Sequence, residues 1–274
     1  MKFKSELILQ RITRENLHIF DLELIAFEFQ YNKQRFDTLA FDIKTNSFVI
    51  IEYKNEQDSK VLNQCESYYN LLLENKNVYI DKYNEVFKTD FVKDDFDFDK
   101  TRVLIIGPEF KEKQLLAAKS PSYPFEIWKV NLNEKFCISY KNVVTDETKY
   151  LQVTKKDLEL TEEELLQNRS DKILKLYDIL KNRVMNEFRD VTQRILINAF
   201  SYRLNGKLIC KFVFNRDSLK VYFYTKDINN SQSKLEDISG KNIEGNTYYM
   251  FELKSEDDID YFIELFKQIY VIKE

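Results

Sequence analysis

Apolar residues recur along the chain at two different periods, and each period predicts one type of element. Residues 3 to 12 and 57 to 74 repeat apolar positions every three or four residues, which is typical of a helix with one buried face. Runs rich in β-branched and aromatic residues predict strands at 22 to 29, 35 to 42 and 47 to 54. The polar residues 44 to 46 separate the last two runs, so we predict a hairpin there.

A second group of elements follows the long helical stretch. The apolar run at 102 to 106, closed by Gly107 and Pro108, predicts a buried strand with a sharp end. A helix around 109 to 119 and further strands around 125 to 140 follow it. Together with the N-terminal elements they predict an α/β unit.

The chain length predicts two domains, because 274 residues exceed the roughly 150 of an average domain. Residues 157 to 168 are acidic and poor in apolar positions, so we predict a linker or a solvated helix between domains 1 to 156 and 169 to 274. In the second domain Ser170 caps a helix, and Ser255 with Asp258 starts the last one. Strands are predicted between them at 207 to 214, 219 to 225 and 247 to 253.

Composition excludes several protein classes. With 43% hydrophobic and 15% aromatic residues and only 4 Gly and 3 Pro, the chain is a folded protein rather than a disordered or fibrous one. It has no apolar run of membrane-spanning length and no signal-peptide pattern at the N-terminus, so we predict a cytoplasmic protein with no membrane partner. Cys65, Cys137 and Cys210 are odd in number and far apart, which predicts buried free thiols.

The net charge of the whole chain and that of one block within it favour different predictions about nucleic-acid binding. The formal charge of −4 argues against a strong overall attraction to nucleic acid. Residues 169 to 226, however, carry 13 basic against 5 acidic side chains, a net charge of +8. This block predicts either a DNA-binding surface on the second domain or helix faces whose charges meet their opposites on the surface.

The strand predicted at 47 to 54 contains an acid and a base on one face. Side chains alternate along a strand, so Glu52 and Lys54 emerge on the same side of an otherwise apolar run. Burying either charge alone would cost several kcal/mol. The pair is therefore a mutual salt bridge, lies at a solvated strand end, or serves a metal site. Asp37, on the preceding strand, can reach the same edge, and two carboxylates on rigid strands are hard ligands for Mg²⁺.

The order of these residues resembles a known family. An acid in the first helix (Glu6), an aspartate on a strand (Asp37), the sequence Glu52-Tyr53-Lys54 on the next strand, and a helix with Gln64 and Tyr68 one turn later follow the pattern of the PD-(D/E)xK nuclease superfamily. The resemblance is closest to its NucS-like endonuclease branch and covers about the first 150 residues. The second half resembles a small uncharacterised α/β domain that follows such nucleases. The fold implied is α/β (α+β): a restriction-endonuclease-like mixed sheet flanked by helices, then a small α+β domain.

The resemblance implies metal ligands. Asp37 and Glu52 would bind one or two Mg²⁺ or Mn²⁺ ions, with the backbone carbonyl of Tyr53 as a further ligand. Glu6 would hold metal through water or position the general base, although Glu15 competes with it for this role, as does Glu23.

The resemblance also implies roles for two non-acidic side chains. Lys54 would position the attacking water and stabilise negative charge in the transition state, and Gln64 would orient Lys54 or contact a phosphate. The alternative interpretation of Gln64 and Tyr68 is that they are ordinary surface and core residues of the helix. Asp42 is predicted to be a turn residue rather than a metal ligand.

The function implied is that of a Mg²⁺-dependent endodeoxyribonuclease acting on DNA as a homodimer, with a metal-activated water as nucleophile. The alternative is a catalytically silent nuclease-fold module that binds nucleic acid or protein. A third reading is an assembly protein in which Glu52 and Lys54 only neutralise each other. Related domains often carry basic residues after the lysine, whereas Asn55 and Glu56 follow here, so the charge that faces DNA must come from elsewhere.

Overall fold

The computed structural model describes residues 3 to 120, 124 to 226, 228 to 229, 234 to 241 and 247 to 273. The chain forms two compact units, Met1–Glu159 and Leu160–Glu274. The boundary therefore falls inside the stretch 157 to 168. No helix in the described ranges is long and apolar enough to cross a membrane.

The first unit is built on a seven-stranded sheet whose spatial order equals its chain order. Its strands are β1 (Leu22–Tyr31), β2 (Gln34–Asp42), β3 (Ser47–Tyr53), β4 (Arg102–Gly107), β5 (Phe125–Leu132), β6 (Cys137–Asn142) and β7 (Thr148–Gln152). β1, β2 and β3 pair antiparallel, β3, β4 and β5 pair parallel, and β5, β6 and β7 pair antiparallel again. The sheet is therefore mixed, and β3 lies where the antiparallel part meets the parallel part.

Helices cover both faces of this sheet. They are α1 (Glu6–Glu15), α2 (Val61–Glu74), α3 (Lys76–Phe87) and α4 (Glu112–Ala118), with short 3₁₀ turns at Leu17–Phe20, Lys93–Asp95 and Phe98–Lys100. α2 and α3 pack on the face that carries Phe36 and Phe48, where the ring of Tyr79 stacks 6.0 Å from Phe36. α1 lies against the other face, where the Thr13 hydroxyl is 3.0 Å from that of Tyr140. Both faces of β3 are thus buried, which explains its nearly continuous apolar sequence.

The second unit is an antiparallel sheet with helices. Its helices are α5 (Glu162–Leu166), α6 (Asp171–Glu187) and α7 (Asp257–Lys273). Its strands are β8 (Val191–Leu196), β9 (Ala199–Leu204), β10 (Lys207–Phe214), β11 (Leu219–Phe223), β12 (Glu236–Asp237) and β13 (Tyr249–Leu253), in the spatial order β12-β13-β11-β10-β9-β8. Leu165 of α5 is buried in the core of this unit, so the acidic stretch contributes one anchor to it.

The predicted fold class is confirmed: a mixed sheet flanked by helices precedes a smaller α+β unit. The predicted caps are also present, since the Ser170 hydroxyl accepts a hydrogen bond from the Ile173 amide and Asp258 accepts one from the Ser255 amide. α3, β7, β8, β9 and the two-residue strand β12 were not predicted. Of the three cysteines, Cys65 and Cys210 are buried, but Cys137 is only half-buried, so the prediction of buried thiols is wrong for it.

Asp42 is a turn residue with a structural ion pair. Its carboxylate accepts hydrogen bonds from the amides of Lys44 and Thr45, and its other oxygen is 2.8 Å from the Arg102 guanidinium. Arg102 also contacts Glu126 at 2.7 Å. These contacts tie the β2–β3 turn to the start of β4, at the end of the strands away from Glu52.

Candidate functional site

The carboxyl end of β3 presents a buried acid beside a lysine. Glu52 is 1% exposed, and its Oε1 lies 2.6 Å from Lys54 Nζ. Its second oxygen, Oε2, is buried and has no hydrogen-bond partner. The Lys54 amide donates to the Ile106 carbonyl at 2.9 Å, which holds this strand end against β4. One oxygen of Glu52 is therefore left to interact with something other than the protein.

Asp37 lies next to Glu52 on the neighbouring strand. The β2–β3 register pairs Thr38 with Ile51, so Asp37 and Glu52 come one step further along, on the same face. The Asp37 Oδ2 accepts a hydrogen bond from the Tyr53 amide at 3.0 Å. Tyr53 itself is fully buried, and only its backbone belongs to the site.

A third acid, Glu28 on β1, lies in the same row and was not predicted as a site residue. The β1–β2 register places Glu28 opposite Asp37, so Glu28, Asp37 and Glu52 follow one another across three strands. Glu28 has a left-handed backbone, φ 47°, which is strained for a residue other than glycine. Its carboxylate lies 3.6 Å from Arg35 NH1.

The first helix contributes Glu6. Ser5 caps α1, and Glu6 in its first turn accepts a hydrogen bond from the Asn55 amide at 3.0 Å. Asn55 also donates its side-chain amide to the Phe3 carbonyl. The chain segment that follows Lys54 is thereby fixed to the start of α1, which brings Glu6 to the carboxyl end of β3.

Gln64 and Tyr68 approach from α2 and contact each other. The Gln64 amide donates to the Tyr68 hydroxyl at 2.6 Å, and this hydroxyl donates to the Arg35 carbonyl at 2.7 Å. Gln64 makes no hydrogen bond to Lys54 within the described part of the chain. Its predicted role in orienting Lys54 stays a prediction.

These groups line one cleft of about 470 Å³. The lining consists of acids, bases and polar side chains: Glu6, Lys33, Gln34, Arg35, Asp37, Glu52, Lys54, Gln64, Ser67 and Tyr68. The cleft brings together the predicted side chains of Glu6, Asp37, Glu52, Lys54, Gln64 and Tyr68. Tyr53 does not line it and contacts the site only through its amide, which donates to Asp37. The cleft also adds two cations that do not follow Lys54 in the sequence: Lys33 in the turn between β1 and β2, and Arg35 near the start of β2.

Burial and mutual repulsion disfavour charge on the acids of the cleft. Burial first, and then the Asp37 charge, raise the pKa of Glu52 to about 8, although Lys54 acts in the opposite direction. Burial also raises the pKa of Asp37 and of Glu6. Burial alone would lower the pKa of Lys54, but Glu52 and the other acids raise it above its usual value, so the ammonium stays charged.

The donor set fits a divalent cation that keeps several waters. Asp37 and Glu52 are hard oxygen donors on adjacent strands, and Glu52 Oε2 lacks a partner. No group of three His, Cys, Asp or Glu side chains in the described ranges is arranged to hold a metal ion by itself. A Mg²⁺ site here would thus rest on two carboxylates, with water and backbone oxygen completing the shell.

Gly107 supports the position of Lys54. A Cβ atom at Gly107 would lie 2.9 Å from the Lys54 carbonyl oxygen and 3.3 Å from Phe110 Cζ. We therefore expect Gly107→Ala to displace the backbone at Lys54 and to lower any activity of the cleft by at least about tenfold. Assaying the variant beside its thermal unfolding curve checks this, and full activity would show that the backbone here relaxes without effect.

The chain was compared with protein-family models, with solved structures and with curated protein sequences. A scan against protein-family models finds no match. Two solved structures, a repair endonuclease from Pyrococcus abyssi and the EndoMS-dsDNA2 complex, align at 16% and 17% identity with a TM-score of 0.31 each. The alignments cover 46% and 47% of this chain, and about half the length of each of those chains.

The sequence relative is an uncharacterized protein of Haemophilus influenzae (strain ATCC 51907 / DSM 11121 / KW20 / Rd). It is 31% identical over 284 residues, which cover 97% of this chain and 93% of the relative. An alignment of this extent includes both units. The chain belongs to the same family as this Haemophilus influenzae protein.

Proposed function

We propose that the protein is a divalent-metal-dependent nuclease that hydrolyses phosphodiester bonds in DNA. The observation that carries this proposal is Glu52: a fully buried carboxylate beside Asp37 and Lys54, with one oxygen unpartnered, at the wall of an open cleft. Burying an ionised carboxylate without a full set of partners costs free energy. A bound cation that neutralises this charge explains why the acid is present.

Each side chain of the cleft has a task in this proposal. A Mg²⁺ or Mn²⁺ ion bound to Asp37 and Glu52 would supply Lewis-acid activation of water and of the scissile phosphate. Lys54 holds a permanent positive charge next to the reacting phosphate. Glu6, held by the Asn55 amide, accepts a proton from water on the α1 side of the cleft.

Substrate binding falls to the basic residues of the hairpin. Lys33 and Arg35 line the cleft, and Arg35 is 42% exposed, so both can contact phosphates on either side of the scissile bond. The Tyr68 hydroxyl bonded to the Arg35 carbonyl fixes the backbone from which this arginine projects. Two cations at the mouth of an acidic cleft are consistent with a polyanionic substrate such as DNA.

Calorimetric titration with Mn²⁺ tests the metal site directly. We expect the wild-type protein to bind Mn²⁺ with proton release near pH 7, because the pKa of Glu52, raised to about 8, leaves a proton to be displaced. Asp37→Asn should weaken binding by at least about tenfold, whereas Glu66→Gln, an exposed acid on α2, should not change it. Equal heats of Mn²⁺ binding for the wild type, Asp37→Asn and Glu66→Gln would contradict the proposed metal site.

A second candidate function is a catalytically silent module that retains the nuclease fold. The 2.6 Å ion pair between Lys54 and Glu52 favours it, because the lysine already satisfies one oxygen of the acid. This candidate predicts no Mn²⁺ heat above that of Asp37→Asn. The homodimer, the cytoplasmic location and the Tyr53 carbonyl as a ligand stay predictions.

A further inference from the structure

The sheet of the second unit has one face covered by helices. The rings of Phe200 and Phe212 lie on this face, 5.0 Å from Tyr177 of α6 and 5.1 Å from Phe262 of α7. α6 and α7 therefore pack on the same side. The side chains that alternate with these aromatic residues point to the opposite face of the sheet.

Cations cross this opposite face on a diagonal. The strand registers place Ser201 opposite Lys211, and Lys211 opposite Tyr222. Arg203 lies two residues from Ser201 on β9, and Lys220 two residues from Tyr222 on β11. Diagonal neighbours in a sheet are about 7–8 Å apart, so Arg203, Lys211 and Lys220 form a stripe of about 15 Å.

A fourth cation, Arg194, lies on the same face beside these three. It pairs with Ser201 from β8, in the same row as Lys211. We call Arg194, Arg203, Lys211 and Lys220 the basic stripe. Arg194 is exposed, and neither it nor Lys220 has an ion-pair partner among the described residues.

Acidic residues are absent from the four strands that carry the stripe. The sequences of β8, β9, β10 and β11 contain no Asp or Glu. Glu236 and Asp237 lie on the edge strand β12, whereas Glu252 of β13 lies directly opposite Lys220, where it accepts a hydrogen bond from the Ser218 hydroxyl at 2.6 Å and pairs with Lys254 at 3.0 Å. The four strands that carry the stripe therefore contribute basic side chains but no acidic ones.

Two polar atoms beneath the stripe lack partners. Ser201 is 1% exposed, and its hydroxyl oxygen makes no hydrogen bond. The Nε of Arg203 is likewise buried without an acceptor, although its NH1 donates to the Gly206 carbonyl at 3.0 Å. Unsatisfied donors next to a row of cations are what an anionic ligand would complete.

We propose that the basic stripe binds the phosphate backbone of single-stranded nucleic acid. The choice of nucleic acid over another polyanion rests on the proposed nuclease function. The diagonal course of the stripe favours a single strand, since a flexible strand can follow the stripe across a twisted sheet. A rigid duplex, being convex, would touch the same face over only part of the stripe.

Fluorescence anisotropy with the full-length protein tests this proposal. A labelled single-stranded oligothymidine and a duplex of equal length are titrated in EDTA, which removes any contribution from a metal in the cleft. We expect the triple variant Arg194→Gln, Arg203→Gln, Lys220→Gln to lose single-strand affinity about tenfold or more. Its salt slope should fall by about 2, since each phosphate contact on a single strand contributes about 0.7.

Control variants separate this surface from the cleft. Lys172→Gln removes an exposed cation of α6, on the helix side, and should leave affinity and salt slope unchanged. Glu52→Gln should retain strand binding in EDTA. If the triple variant loses strand binding and the wild-type protein cleaves no DNA, the proposal for the basic stripe is supported and the proposed nuclease function is rejected. Unchanged single-strand affinity in the triple variant, or an equal loss for the duplex, would overturn the proposal.

Discussion

Glu52→Gln should lower metal-dependent DNA cleavage by on the order of a thousandfold or more while the protein stays folded. The amide has nearly the shape of the carboxylate and keeps an acceptor for Lys54, which now lies 2.6 Å from Oε1. It carries no charge, however, and cannot neutralise a divalent cation. The measurement is the rate of cleavage of a labelled duplex in Mg²⁺ and in Mn²⁺, beside circular dichroism.

Asp37→Asn should have a similar effect, since both acids belong to one pair across β2 and β3. The matched control for Glu52→Gln is Glu66→Gln at an exposed position of α2, which should cleave at the wild-type rate. Cleavage by Glu52→Gln within a few fold of the wild type would remove the acid from the mechanism.

Raising the pH from 5 to 8 should destabilise the metal-free wild-type protein relative to Glu52→Gln, by up to about 4 kcal/mol. The pKa of Glu52 is about 8 in the folded protein and near 4.5 in the unfolded chain. Between these values the folded state holds a proton that the unfolded state has released. Stability is therefore greatest below pH 4.5 as far as Glu52 is concerned, and is lost as the pH rises toward 8.

Urea unfolding in EDTA at several pH values measures this difference. The gap in unfolding free energy between Glu52→Gln and wild type should widen as the pH rises, whereas Glu66→Gln should run parallel to the wild type. Mn²⁺ should reduce the wild-type loss, because a cation stabilises the ionised carboxylate. Parallel curves for Glu52→Gln and wild type would mean that Glu52 ionises freely in the folded protein.

Elements with an unambiguous period were predictable from sequence, and shorter ones were not. β3 is a continuous apolar run, and α7 opens with a clear cap, so both were placed within a few residues. β8 and β9 are short and carry Arg194 and Arg203 among their apolar residues, which weakens the alternation. Their strand character comes from pairing with β10, which is non-local.

The residues of the candidate site were likewise predictable only where their local sequence is distinctive. Glu52 and Lys54 are conspicuous because they interrupt an apolar strand, and Asp37 lies on the strand next to it. Glu28 was missed, although it interrupts the aromatic pair Phe27 and Phe29 in β1. Its position follows from the tight turn of β1 and β2 around Asn32, which pairs it with Asp37, so the available signal was the register of this hairpin.

The left-handed backbone at Glu28 also bears on how the protein avoids aggregation. β1 is an edge strand of the large sheet, and its ten residues, with Phe27 48% exposed, would offer a long apolar edge to a strand of another molecule. The register shift between Leu24 and Ala26 and the φ of 47° at Glu28 interrupt the regular row of amides and carbonyls along that edge. The strained residue that lies opposite Asp37 thus also protects the edge from intermolecular pairing.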